Sequence, residues 1–384
     1  MTPFVYQSLP ARVRFGRGVL GELGAQLDLL GARAALVLCT PQQRDSAQRV
    51  ADQLGPRAVG IFDQAVVHVP VETAAQARAM AQARGADCCV AIGGGSTIGL
   101  GKAIALTSAL PIVAIPTTFA GSEMTPIYGL TEAGVKKTGR DLRVLPKIVL
   151  YDPELTATLP ASIAGPSGMN AIAHAVEALY AQDANPIVSL MAEESIRALA
   201  ASLPAVVAHP GDVDLAGDAL YGAWLAGTCL GAVGMALHHK LCHTLGGAFN
   251  LPHAELHTII LPHAVAYNRV AAPAAMARIT RALRAAGRSG SAAGARAERV
   301  TPPSHGAGIP STGADDPAGA LYDLARALGV PAGLADLGVP ADGLAHAADL
   351  ACRNPYFNPR PIDRAAILAL LQDAHAGRRP APGD

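Results

Sequence analysis

The chain has 384 residues, half of them hydrophobic and 16% charged, with 30 Lys and Arg against 30 Asp and Glu. That is enough apolar material for two domains with sizeable cores, and the balanced charge removes any general attraction for nucleic acid or an acidic membrane surface. Six scattered cysteines without a CxxC pair suit reduced thiols in the cytoplasm. The opening MTPFVYQSLPARVRFG lacks a signal-peptide core, and no run of about 20 apolar residues offers a membrane span.

In chain order, AALVLC (34–39), RAVGIF (57–62), CCVAI (88–92) and PIVAIP (111–116) are short apolar runs separated by helical stretches of ten to fifteen residues. This alternation predicts a parallel sheet covered by helices, a Rossmann-like α/β domain. IYGLTEAGVKKTGRDLRVLPKIVLYDP (127–153) reads as a hairpin excursion that returns to a strand. From about residue 159 the strands stop and long, Ala-rich, helix-periodic segments follow. The expected domains are therefore 1–158, α/β, and 159–384, all-helical. Residues 285–317, rich in Gly, Ser, Pro and Ala, are expected to be a flexible surface loop or insertion, with a lid as the functional alternative.

AIGGGSTIGLGKA (91–103) follows a strand and opens a helix. It is neither a G-x-G-x-x-G fingerprint nor a P-loop, since Ser96 and Ala103 stand where a P-loop needs Gly and Ser or Thr. Gly93, Gly94, Gly95 and Ser96 nevertheless exceed what a tight turn requires, and free amides at a helix start attract phosphate. PTTFAGSEMT (116–125) follows the next strand, so Thr117, Thr118 and Ser122 are candidate partners for phosphate, ribose or nicotinamide amide. The adenosine end should lie beyond the first strand of the alternating series, at Thr40. No acidic residue stands there before Asp45, so selection against NADPH is expected to be weak.

Seven of the twelve histidines fall at 174 and between 238 and 263. Asn170 and His174, His239 and His243, and His253 and His257 are each four apart, which places each pair on one helical face. The spacing suits a metal site or several imidazoles offered to one substrate. His238 and His263 are expected to be ordinary, hydrogen-bonded core or surface residues.

GGGS (93–96), PTTFAGSEMT, GPSGMNAIAHAVEALYA (165–181), HHKLCHTLGGAFNLPHAELHTIILPHAVAYN (238–268) and NPYFNPRPI (354–362) together resemble the maleylacetate reductases of the iron-containing alcohol dehydrogenase superfamily. FAGSEMT with KKTGRDLRVLP (136–146) is typical of the reductase branch. The resemblance covers nearly the whole chain apart from 285–317. It implies a dehydroquinate synthase-like fold, and reduction of the C=C bond of maleylacetate to 3-oxoadipate by NADH, with NADPH also accepted, in aromatic-compound breakdown. Carried onto this chain, the superfamily's metal set of one Asp and three His falls on Asn170, His174, His239 and His253. A neutral amide in the Asp position is a weaker ligand for Fe²⁺ or Zn²⁺, so no metal is expected. Without an ion, His243 and His253 are expected to stabilise the enolate and donate the proton, with His239 and His174 around them. A dianionic substrate beside these rings is expected to raise their pKa values. Arg360 and Lys240 are candidates for the two substrate carboxylates, and Lys136 for the cofactor's adenosine side. The expected partner is a small dicarboxylate and the expected assembly a homodimer. The alternatives are a metal-dependent alcohol dehydrogenase using Asn170 as an oxygen ligand, a lyase of the dehydroquinate synthase kind, and a non-enzymatic NAD sensor.

Overall fold

The computed structural model describes residues 3–132, 135–297, 316–353 and 356–382, without the side chains of 135–136 and 289–297. The chain forms two compact units. One is Ser8–Leu159; the other runs from Pro160 onward and takes in residues 3–7.

The first unit contains β1 (Arg12–Phe15), α1 (Leu23–Leu30), β2 (Ala35–Leu38), α2 (Arg44–Leu54), β3 (Ala58–Phe62), α3 (Val71–Ala83), β4 (Cys88–Gly93), α4 (Gly95–Ser108), β5 (Ile112–Pro116), β6 (Ile127–Glu132), β7 (Val135–Arg140) and β8 (Ile148–Tyr151). Six strands make one parallel sheet in the order β1-β8-β5-β4-β2-β3, while β6 and β7 pair as an antiparallel hairpin. The inner strands β2, β4, β5 and β8 are buried at every position. Such strands read as continuous apolar runs because helices cover both faces. Leu23 and Leu27 of α1 and Ala47, Val50 and Leu54 of α2 pack with Val37, Val90, Ile92, Val113 and Ile115. Gly101 of α4 lies against the side chains of Ile112, Leu38 and Ala91, which alternate to the other face. Strand β1 has no counterpart among the predicted runs. It is a four-residue, partly exposed edge strand carrying two arginines, and its partner β8 lies about 135 residues away in sequence. The chain steps from β2 outward to β3 and then back across β2 to β4, so the sheet's switch point lies between β2 and β4, where ligands of open α/β sheets bind.

The second unit is helical: α5 (Ala161–Ala178), α6 (Pro186–Ala208), α7 (Val213–Ala232), α8 (Leu237–Phe249), α9 (His253–Asn268), α10 (Pro273–Ala297), α11 (Pro317–Ala327), α12 (Gly343–Ala351) and α13 (Arg364–His375). Helices α8, α9, α12 and α13 share one core through Leu241, Leu245, Leu256, Ile260, Ala347, Ile367 and Leu371. Helix α5 is buried over most of its length. Its small residues allow this: a Cβ at Gly168 would stand 2.3 Å from the Leu203 side chain of α6. Part of the expected 285–317 loop is helix instead. Helix α10 runs on to Ala297, where Ala and Arg, both strong helix formers, outweigh the interspersed Gly and Ser; Pro317 opens α11, and residues 298–315 lie outside the described part. Among the described residues no single helix is long and apolar enough to cross a membrane.

Candidate active site

The predicted cofactor residues of the first unit gather at the carboxyl ends of three neighbouring strands: Thr40 after β2, Gly93–Ser96 after β4, and Thr117 and Thr118 after β5. The three glycines are not equivalent. A Cβ on Gly93 would lie 2.4 Å from Thr97 Oγ1 and 2.6 Å from Gln43 Oε1, and one on Gly94 would lie 3.0 Å from the Thr118 side chain. These two are demanded by the protein's own packing. Gly95, the first residue of α4, is exposed, and a Cβ there would meet nothing within 4 Å. Any demand for glycine at 95 therefore comes from outside the chain. Thr117 Oγ1 accepts from Gln43 Nε2 at 2.6 Å and is buried, so its hydroxyl ties β5 to the start of α2. Asp63, just past β3, pairs with Arg44 at 3.2 Å. The register aligns Leu38 with Phe62, which brings this carboxylate beside the end of β2 although the local sequence there holds none. The Lys136 side chain lies outside the described residues. Ser122 sits beside Lys102, which sequence reading weighed only as part of a failed P-loop match.

In the second unit, α5 carries Asn170, His174 and Glu177 at successive turns, α8 carries His238, His239, Cys242 and His243, and α9 carries His253 and His257. Glu177 is fully buried. It accepts from the backbone N–H of Ala236 at 2.9 Å and of His238 at 2.8 Å, and from His239 Nδ1 at 2.7 Å. The carboxylate thus occupies the N-terminus of α8, where amides are otherwise unpaired and the helix dipole favours negative charge. It also assigns a tautomer. His239 Nδ1 must carry a proton to donate to the carboxylate, leaving Nε2 as an acceptor, and His174 Nδ1 donates to it at 2.8 Å. Sequence reading passed over Glu177; the signal was its place three residues after His174.

His253 and His243 are exposed, with ring centroids 6.4 Å apart and nearly parallel planes. His253 contacts the ring of His257 at 4.1 Å, and His257 lies 5.0 Å from His239. The structure therefore joins the predicted His174, His239, His243 and His253 into one array through His257. Asn170 is one turn before His174 on the same face and buried, and among the described residues its Oδ1 has no hydrogen-bond partner. Behind the array His238 Nε2 and His257 Nδ1 stand 3.0 Å apart, with Cys242 Sγ 3.8 Å from His238 Nε2. His238 and His263 are buried, and among the described residues His238 Nδ1 and His263 Nε2 find no hydrogen-bond partner. Lys240 Nζ lies 5.4 Å from the Tyr356 ring centroid, and Arg360 stacks on Tyr267 at 4.2 Å. Tyr267 is in the last turn of α9 and His257 in its first two, about 15 Å of helix rise apart. Arg360 is thus anchored toward the other end of α9 from His253.

The expectation of raised imidazole pKa values concerns the substrate complex; in the protein itself burial governs the two innermost rings. His238 and His257 are pushed well below the ordinary histidine value, first by burial and then by neighbouring imidazoles. The unfolded chain titrates them near 6.5, so below that pH it binds more protons than the folded one, and stability falls as pH falls. The slope is about 1.4 kcal/mol per pH unit for each ring until its folded pKa is passed. Urea unfolding at pH 7.5 and 5.5 checks this: the midpoint should drop on acidification, and an unchanged midpoint would count against neutral buried rings.

The family model for iron-containing alcohol dehydrogenase matches residues 10–153, and that for the C-terminal part of the same family matches 165–375. The chain belongs to the iron-containing alcohol dehydrogenase family, and is an oxidoreductase. Within the family it is similar to maleylacetate reductases. That of Burkholderia cepacia is 56% identical over 99% of this chain and 100% of its own length. The enzyme of Sphingobium indicum is 55% identical over 98% and 99%. The crystal structure of maleylacetate reductase from Agrobacterium tumefaciens superposes with a TM-score of 0.88 at 48% identity, covering 99% of this chain and 100% of the other.

Proposed function

We propose that this protein reduces the C=C bond of maleylacetate to give 3-oxoadipate, with NADH or NADPH as reductant. The observation that carries the reading is the 56% identity to a maleylacetate reductase across both units. A bound nicotinamide cofactor would supply a hydride to the alkene carbon β to the ketone; the alkene π pair then becomes the enolate C=C, the carbonyl π pair moves onto the ketone oxygen, and the α carbon takes a proton. The chain's own work is to hold the diacid, stabilise that oxyanion and deliver the proton. His243 and His253 are the accessible imidazoles and are assigned these last two roles. His174, His239 and Glu177 back them, with the buried carboxylate accepting from His239 and holding that ring in place. Lys240, half-buried and next to His239 in sequence, is a carboxylate partner, with Arg360 as the more distant candidate.

We further infer that turnover needs no metal, although the family is named for iron. The donor chemistry supports this. Asn170 offers a neutral oxygen where a carboxylate would offset the ion's charge. His174 Nδ1 and His239 Nε2 stand at hydrogen-bond distance, 2.8 Å, whereas two nitrogens on one tetrahedral ion at about 2.1 Å would be roughly 3.4 Å apart. The other group of donors, His238, Cys242 and His257, has its ligand atoms within 4.8 Å of one another. That cluster is fully buried and carries no carboxylate, and its two imidazoles already meet each other, His238 Nε2 and His257 Nδ1 being 3.0 Å apart. The test is loss of NADH absorbance with maleylacetate before and after chelation, alongside elemental analysis. Stoichiometric iron or zinc whose removal abolishes turnover would establish the metal-dependent alternative.

For the cofactor, the open space at Gly95 supports dinucleotide phosphate binding at the start of α4. Gly95→Val should raise the KM for NADH about tenfold or more with little change in melting temperature, because a Cβ there meets nothing within 4 Å in the protein. Unchanged KM would remove the phosphate from this turn.

A further inference from the structure

Lys102 lies two turns into α4 and is 1% exposed. Its ammonium has three protons, and three oxygens take them at short range: the carbonyls of Ser122 and Ile127, each at 2.7 Å, and Thr125 Oγ1 at 2.9 Å. Ser122 Oγ is a fourth contact at 3.2 Å. Thr125 Oγ1 is in turn satisfied, since it donates to the Ser122 carbonyl at 3.1 Å and accepts from the Ile127 N–H at 3.3 Å. The segment after β5 is thus held at both ends. Gln43 fixes its start through Thr117, and Lys102 fixes its return. The contact to Ser122 has a chemical consequence. A hydroxyl oxygen 3.2 Å from an ammonium turns its negative end toward that charge even when the three N–H protons are taken by nearer oxygens, so its own O–H proton points elsewhere and is left to donate. Ser122 is only partly buried, and an acceptor carried by a ligand can meet that proton.

We propose that Lys102 is a positioning residue for the dinucleotide: it fixes the Ser122–Ile127 segment and sets the Ser122 hydroxyl as a hydrogen-bond donor to an acceptor oxygen of the bound cofactor. This rests on placing the cofactor at the glycine turn. Burial lowers the Lys102 pKa to about 7, and the Glu123 carboxyl nearby works against that shift. The short oxygen contacts also favour the charged form. Glu123 is itself buried, with Oε1 accepting from Tyr151 at 2.7 Å. Burial raises its carboxyl above the usual carboxylate range, with the Tyr151 hydrogen bond and the Lys102 ammonium working against that shift.

The experiment compares Lys102→Met, Ser122→Ala and the double variant by NADH titration and steady-state kinetics. Lys102→Met should raise the KM and Kd for NADH about tenfold or more, with kcat at saturating NADH changed less than about threefold. Ser122→Ala should weaken NADH binding in the parent and have no further effect in the Lys102→Met background, because the donor orientation is already lost. If Lys102→Met does not fold, Thr125→Val, which removes one acceptor, is read instead and should give a smaller rise in the same constant. NADH affinity within about twofold of the parent for the folded lysine or threonine variant overturns the proposal, as does a Ser122→Ala effect equally large in both backgrounds. Gly95→Val separates the two readings. If it binds NADH normally, the cofactor placement fails; if it loses NADH while Lys102→Met does not, only the lysine's role fails.

Discussion

Glu177→Ala should be the most damaging single substitution in the helical unit. Alanine leaves the N–H groups of Ala236 and His238 and the Nδ1–H of His239 buried without the oxygens that now accept from them. Removing one partner from a buried, hydrogen-bonded charged group costs about 3–5 kcal/mol, against a total stability of about 5–15. The expected result is a large fall in the urea midpoint together with lost turnover. Glu177→Gln separates the two effects. Its shape is kept, but both carboxylate oxygens now accept from backbone N–H groups, so either orientation of the amide turns an NH₂ toward a donor. With the NH₂ on the Ala236 side, His239 loses the acceptor that keeps its proton on Nδ1; with the amide oxygen there, it keeps only a neutral acceptor in place of a carboxylate. The glutamine variant should fold with a lower midpoint and lose about 10–100-fold in kcat, as when a partner that orients a functional histidine is removed. A glutamine variant with kcat within about twofold of the parent would show that tautomer control at His239 does not matter.

His243→Ala and His253→Ala should have the opposite signature, with little loss of stability and a large loss of rate. Both rings are exposed, so truncation opens no cavity. A proton donor or oxyanion stabiliser contributes roughly 10²–10⁴ in rate, and each variant should lose an amount in that range in kcat at saturating NADH. Because the rings face each other, the double variant should lose less than the product of the single losses. Single-turnover kinetics with deuterated NADH measures whether hydride transfer or the later protonation has slowed. If either single variant keeps more than about a tenth of the parent kcat, that imidazole is neither the donor nor the main enolate partner.

Much of the architecture was legible from local pattern. Strands β2, β4 and β5 announce themselves as apolar runs, because a strand buried on both faces must be apolar at every position. The glycine turn follows β4 directly, and the imidazole pairs of α5, α8 and α9 follow from four-residue spacing alone. Composition misled over residues 285–297, where Gly and Ser masked an Ala- and Arg-driven continuation of α10. Strand β1 was illegible because its alternating, partly charged sequence makes sense only beside β8.

The sequence by itself determined which residue types were available and which helical face or strand end each occupies, since helix and strand periodicity is a property of neighbours along the chain. Tertiary structure alone decided what each group meets. It sent Glu177 to amides and an imidazole about 60 residues away, set Lys102 beneath the Ser122 segment, and brought Asp63 to the end of β2. It also distinguished Gly95, open to a ligand, from Gly93 and Gly94, which the protein needs for its own packing. The reason is physical: buried charges and hydrogen-bonding atoms must find partners wherever packing supplies them, and that choice is made across the fold and leaves no periodic mark in the chain.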